Sequence, residues 1–266
     1  MSTPGTIRSF VSHQSLRRQQ GGYRRVFWPV IVLLLLLLVW EIGVRLYDVP
    51  TYVLPPPTDI IEAAVYNLEP LGRHLQISFS AFAIAYTLTV VVGYLTALAM
   101  YQWKTLEVVL YPYVITARAI PIVALIPIFI IWFGFGLNSI IVISFLISFF
   151  AMVVNTLTGF KSTDDELSDM LHSFSASRWE IFRNVHVYSS LPAVFAGLKI
   201  CVILTFTGVI VGEFLIGSEG IGYLIIEYNN NLATAKMFAA ILTISITQLF
   251  LFYSIVVLEG WVVSWD

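Results

Sequence analysis

Six stretches of roughly twenty or more mostly apolar residues run through this chain, each long enough to cross a bilayer as a helix rising about 1.5 Å per residue through ~30 Å of hydrocarbon. They fall at about 27–47, 76–101, 106–133, 139–160, 191–216 and 236–262. The chain is 58% hydrophobic and 11% charged, against about a quarter charged in soluble domains. No single water-soluble core could hide that much apolar surface, so lipid must solvate part of it. The expected fold class is therefore all-α, a polytopic integral membrane protein with six transmembrane helices.

The first stretch follows Arg24 and Arg25, as a secretion signal would, but it runs on into Trp40, Glu41 and Ile42 with no small-x-small cleavage site. It is expected to be a retained span. This divides the chain into a basic cytoplasmic tail over 1–25, one transmembrane domain over 26–262, and a short tail over 263–266.

Orientation follows from Lys and Arg, which accumulate in cytoplasmic segments. With the N-terminus inside, Arg8, Arg17, Arg18, Arg24, Arg25, Lys104, Lys161, Arg178 and Arg183 lie inside, and Arg45, Arg73 and Lys236 outside. Arg118 and Lys199 fall within spans, which accounts for all 14 cationic residues. The nine-to-three bias predicts an N-in, C-in chain. After the outside run Leu54-Pro55-Pro56-Pro57-Thr58-Asp59, which is expected not to be helical, Ile60, Ile61, Ala64, Val65 and Leu68 recur at helical spacing. They fit an amphipathic helix on the outer surface or a packed connector equally well.

The longest cytoplasmic segment, 161–190, carries two capping boxes, Thr163-x-x-Glu166 and Ser177-x-x-Glu180. Leu167, Met170, Leu171 and Phe174 form one apolar stripe between them. One helix should end near 173–176 and a second begin at Ser177, with Trp179, Phe182 and Val185 on one side. Two short capped helices and a sharp turn make a rigid knob, with the stripe expected to pack inward and the turn to face out, where a partner can dock.

The single Cys201 excludes an internal disulfide, and His13, His74, His172 and His186 show no metal-ligand spacing. No metal site is expected. Gly217, Gly220 and Gly222 lack the following Lys-Ser/Thr of a phosphate loop, and no GxxxxGK[S/T] occurs anywhere, so this chain should bind no ATP. The glycines are expected to form a turn or short gate on the side away from the cytoplasm. No Ser-His-Asp or paired-carboxylate arrangement marks an enzyme, and no catalytic residue is expected.

Ionisable groups inside spans are expensive and point to function. Arg118 and Glu213 stand out, with Pro121 and Pro127 beside Arg118 able to free carbonyls and bend the helix. These four are the pore or gate candidates. A structural ion pair or snorkelling for Arg118, and an interfacial charge for Glu213, are the competing readings.

Several motifs, in order, carry a resemblance. Ser175-Ala176-Ser177-Arg178-Trp179-x-x-Phe182-x-x-Val185 and then Leu191-Pro192-x-x-x-Ala196-Gly197-Leu198 resemble the cytoplasmic EAA loop of binding-protein-dependent ABC importer permeases. Arg118-Ala119-Ile120-Pro121 through Ile126-Pro127 to Trp132-Phe133-Gly134, and Gly212-Glu213-Phe214-Leu215 through Gly222-Tyr223-Leu224, are similar to the sulfonate, taurine, nitrate and vitamin-precursor branch, as is Leu54-Pro55-x-Pro57. The resemblance covers about 25–260. In register, Asp169, Met170 and Leu171 stand at Glu-Ala-Ala, Ser175 at the family's glycine, and Val185 to Tyr188 at Ile-x-Leu-Pro.

The resemblance implies a type I importer permease in a bacterial inner membrane. Two such chains would form the solute pathway, either as a homodimer or with a related permease. Two ATPase subunits would bind ATP and Mg²⁺ and dock on Asp169, Ser175, Ala176, Ser177, Arg178 and Trp179, and an extracytoplasmic binding protein would deliver the solute. No nucleic acid is implied. An ATPase-independent secondary transporter or channel is the alternative, and it would need an inverted repeat of broken helices, which the sequence does not show.

Overall fold

The computed structural model describes residues 27–163, 170–171 and 173–263. Helices account for nearly all of them, and no strand occurs among the described residues. Five helices are long and apolar enough to cross a membrane: α1 (Phe27–Leu46), α3 (Leu68–Gln102), α6 (Leu137–Lys161), the helix Trp179–Ile216, and α10 (Thr234–Val262). Along the helix Trp179–Ile216, α7 (Arg178–Ile181) runs through a π-helical turn at Phe182–His186 into α8 (Val187–Ile216).

The third predicted span, 106–133, is not one helix. It divides into α4 (Lys104–Ala117), a 3₁₀ turn at Ile122–Leu125 and α5 (Ile126–Phe133), with 88° between the two halves. Pro127 stands in the first turn of α5, where its missing amide costs nothing, so it starts a helix instead of bending one. Pro121 caps the 3₁₀ turn. The last turn of α4 tightens, with Arg118, Ala119 and Ile120 amides donating three residues back to Ile115, Thr116 and Ala117. Ala117 O, which a proline at 121 would orphan, is thereby satisfied.

The core is the antiparallel pair α6 and α8, with α3 laid across it. The seam works because small residues on one helix oppose the other in constant register. A Cβ on Gly208 would come within 2.7 Å of Ser144 Cα, and one on Gly197 within 2.9 Å of Asn155 Cβ. Both are closer than real Cβ atoms come, so only glycine admits this approach. In a membrane, where apolar burial alone does not drive helix association, such close backbone packing does. At mid-seam Ser148 Oγ meets Thr89 Oγ1 of α3 at 2.7 Å, accepts from Thr205 Oγ1 of α8 at 2.8 Å, and donates to Ser144 O at 2.9 Å. Three helices share one buried hydroxyl cluster.

α2 (Pro57–Tyr66) is helical from Pro57, so the last three residues of the run expected to be non-helical belong to it. Pro57 stands at the first helical position, where its missing amide costs nothing, and Ile60 is buried while Ile61 and Val65 are exposed. Glu41 on α1 accepts from the Thr58 amide at 3.1 Å and the Thr58 hydroxyl at 2.9 Å, and pairs with Arg45, which stitches α1 to α2. The exposed leucines of α1 present an apolar surface suited to lipid.

Candidate functional site

The knob begins with the backbone. The Ala176 amide donates to Leu171 O at 3.1 Å and Ser175 takes φ +65°, the geometry of a Schellman helix end. Glycine occupies such a position without strain, whereas serine pays for its Cβ in the left-handed region. Immediately after it, the second capping box closes as expected. Ser177 N–H and Oγ–H both donate to Glu180 Oε2, at 2.8 and 2.7 Å, and Glu180 N–H donates back to Ser177 Oγ at 3.3 Å. Thr163 is described, but its box partner Glu166 lies outside the described residues, as do Asp169 and Leu167. Of Arg178 only the backbone is described.

The apolar stripe does not pack inward as expected. Phe174 is 76% exposed and Met170 49%, leaving Leu171 half-buried. Beside them Trp179 is 64% exposed. Phe174 lies in the turn that follows Ser173. The knob thus presents an apolar tip to its surroundings.

An aromatic cluster that sequence pattern alone did not find holds the knob to the spans. Phe182 lies 6.0 Å from Tyr101 at the end of α3 and 5.9 Å from Phe160 at the end of α6, ring centre to ring centre. Tyr101 also meets Phe160 at 5.3 Å and His186 at 5.4 Å, and Trp179 meets Phe182 at 5.7 Å. The wider π-helical turn at Phe182–His186 rotates these rings into place. The sequence signal was present in the separate aromatic ends of three spans, but only tertiary packing joins them. Nearby, Glu107 of α4 pairs with Lys161 at the end of α6 and with Lys104.

At the other end of the molecule Glu213 is 2% exposed. It accepts from Ser78 Oγ at 2.9 Å and from the Gly222 amide at 2.8 Å. The Ile221 amide donates to Ser78 Oγ at 2.8 Å, and the Gly220 amide to His74 Nδ1 at 3.1 Å. Three free amides at the start of α9 (Ile221–Asn230) are therefore capped by side chains of α3 and α8. Gly220 turns with φ +101°, and a Cβ there would strike the Glu213 carboxylate. The glycine cluster is a turn, as expected, and it opens a helix that sequence pattern did not reveal.

Arg118 ends α4 at the break, exposed, with no carboxylate of the described residues within ion-pairing distance. Pro121 is exposed beside it, while Pro127 lies a turn further on. The four pore candidates are therefore not one constellation. Arg118 and the prolines mark the break, and Glu213 belongs to the α3–α8–α9 junction. Lys199 pairs with Glu259 across α8 and α10 at 2.8 and 3.0 Å. No group of His, Cys, Asp or Glu suited to a metal occurs among the described residues.

Comparison with known proteins agrees with this architecture. The chain is 32% identical over 238 residues to the formylaminopyrimidine transport permease protein ThiX of Halalkalibacterium halodurans, covering 89% of this chain and 95% of that one. It is 32% identical over 249 residues to the riboflavin transport system permease protein RibX of Chloroflexus aurantiacus, covering 91% and 93%. The taurine transport system permease protein TauC of Escherichia coli is 26% identical over 249 residues, covering 91% and 90%. In fold the chain is similar to a solved inward-facing structure of the MetNI methionine ABC transporter, with TM-score 0.63 and 17% identity over 73% of this chain and 97% of that one. The description of binding-protein-dependent transport system inner membrane components matches residues 89–263. The chain belongs to that family and is a membrane-embedded permease subunit of an ABC importer, not an enzyme.

Proposed function

We propose that this permease couples to ATP hydrolysis on separate ATPase subunits through the knob at 161–190, with Asp169, Ser175, Ala176, Ser177, Arg178 and Trp179 at or beside the contact. The observation that carries this is the aromatic cluster around Phe182. A docking element can move a pore only through a stiff link, and Phe182 bears on the ends of α3 and α6 at once while its own helix continues without interruption into α8. The exposed Phe174 and Trp179 supply apolar area that association with a protein groove would bury. Two ATPases closing on ATP would carry two knobs together and rock the spans, a rigid-body mode of alternating access.

The working assembly has two permeases, two ATPases with ATP and Mg²⁺, and an extracytoplasmic binding protein, with the permease N-terminus and knob in the cytoplasm. The knob departs from the family's loop, with Asp169, Ser175 and Tyr188 where glutamate, glycine and proline stand. This supports pairing with a second, more typical permease. The solute is a small one of the sulfonate, nitrate or vitamin-precursor kind. Arg118, Pro121, Pro127 and Glu213 are placed at or beside its route.

Replacing Phe182 by alanine tests the coupling. The complex should still purify with its ATPase, while stimulation of ATP hydrolysis by loaded binding protein falls sharply. Full stimulation in Phe182→Ala removes the link. Counting permease species in the purified complex by mass spectrometry tests the pairing, and a single species rejects it.

A further inference from the structure

Resting on the permease reading above, we propose that the groove between α8 and α10 is a wall of the solute pathway, with Gln248 as the hydrogen-bonding contact that a solute meets at mid-membrane. Two independent features point there.

The first is the surface of α8. Between Leu191 and Phe214 only Ile200, Ile203, Thr207 and Phe214 are exposed. They recur at helical spacing, so they form a single stripe along the helix. Thr207 places a hydroxyl on that stripe. Because α8 continues from the knob, a wall built on it moves whenever the knob moves, which is what alternating access requires.

The second is what α10 lays beside the stripe. Ile203, Ser245, Gln248, Leu249 and Phe252 line an open groove of about 350 Å³. Gln248 stands near the middle of the 29 residues of α10, about 21 Å along it from Thr234, and Ile203 stands near the middle of α8. The hydroxyls of α10 satisfy themselves on the preceding turn, with Thr243 donating to Ala239 O, Ser245 to Ile241 O and Thr247 to Thr243 O. A glutamine oxygen has no such recourse, because the helix amides are already used. Gln248 Nε2 donates to Ile203 O at 3.3 Å, and Oε1 meets no donor among the described residues. Lipid tails offer none either. One turn toward the knob, Lys199 and Glu259 join the same two helices, each side chain still 23% exposed. Charged groups within spans face the protein interior or a water-filled cavity. An open groove that holds an unmet amide oxygen and borders a part-exposed ion pair is therefore wet. Phe252 and Ile203 supply its apolar sides and Gln248 the polar group that orients what enters.

The test uses the whole complex, permeases with ATPase, in lipid nanodiscs, and a water-borne thiol reagent, trimethylammonioethyl methanethiosulfonate. The native Cys201 is buried, so background labelling is low. Ser245→Cys reports on the groove, and Leu36→Cys, on the exposed apolar face of α1, is the lipid-facing reference. Ser245→Cys should label at least about tenfold faster than Leu36→Cys, since only a hydrated thiol ionises to the reactive thiolate. Loaded binding protein with ATP should then slow labelling of Ser245→Cys as solute occupies the groove. Gln248→Leu, close in size but apolar, should weaken that protection by about three- to tenfold, the weight of one hydrogen bond. Labelling of Ser245→Cys as slow as Leu36→Cys means that lipid or the neighbouring permease covers the groove, and it overturns the proposal. So does equal protection in the parent and in Gln248→Leu. Should Gln248→Leu be lost from the membrane, the comparison of Ser245→Cys with Leu36→Cys decides alone. ATP hydrolysis in the same samples keeps the two readings apart. If loaded binding protein fails to stimulate it in the parent, the coupling reading falls, while the labelling rates without nucleotide still decide the groove.

Discussion

Ser175 and Glu213 show how much single residues carry. Ser175 holds φ +65° in the turn that shapes the knob, a conformation that costs an L-residue about 1–2 kcal/mol over glycine. Ser175→Gly should stabilise the knob by about 1 kcal/mol, seen as slower proteolytic nicking of the 161–190 segment with transport retained. A bulky β-branched residue there should do the reverse. Glu213 has its carboxylate buried against Ser78 and the Gly222 amide. Glu213→Ala would leave those donors unpaired, at about 1–3 kcal/mol. The thermal midpoint of the purified complex should fall, and Glu213→Gln, which keeps an acceptor oxygen, should fall less.

Among the elements, the α6–α8 seam sets how the bundle holds together. Gly208 lets Ser144 approach so closely that no side chain fits between the helices. Gly208→Ile must push the pair apart, losing about 1–3 kcal/mol or more, and should appear as loss of the folded protein from detergent extracts. Thr205→Val removes one donor of the Ser148 cluster but keeps its shape. The expected loss is only about 0.6–1.7 kcal/mol, small enough for transport to survive. Comparing thermal midpoints of these two variants separates close packing from hydrogen bonding as the source of helix association. The broken element α4–α5 is different in kind. Its bend comes from a tightened helix end and a 3₁₀ turn, and Gly134 and Gly136, both at positive φ, then reverse the chain into α6.

For the whole molecule, the proposed coupling makes the knob, aromatic cluster and seam one mechanical path. Force applied at the exposed Phe174 and Trp179 would pass through Phe182 to α3 and α6, and along α8 toward the Glu213 junction. A permease-wide prediction is that a cysteine at Ser175 labels with impermeant reagents only from the cytoplasmic side of sealed vesicles. Labelling from the outer side would reverse the orientation and separate the knob from any ATPase.

Local sequence was enough for what depends on local physics. Hydropathy located the spans to within a few residues for α1, α6 and α10, because lipid requires a continuous apolar run wherever a helix crosses. The Ser177–Glu180 box was readable because both partners lie within one turn. The family followed from motifs at fixed spacing. Where several elements meet, the same reasoning failed. The stripe through Phe174 looked like a packing face but stands exposed, since periodicity shows which residues share a side and not what lies opposite. Pro121 and Pro127 signalled a bend in the run at 106–133, but not that it would reach 88° or that a 3₁₀ turn would carry it. Glu213 meets Ser78 across 135 positions of chain, and Phe182 meets Tyr101 and Phe160 from three different helices. Those encounters depend on how closely the glycine seam lets the helices approach, so tertiary packing alone decided them.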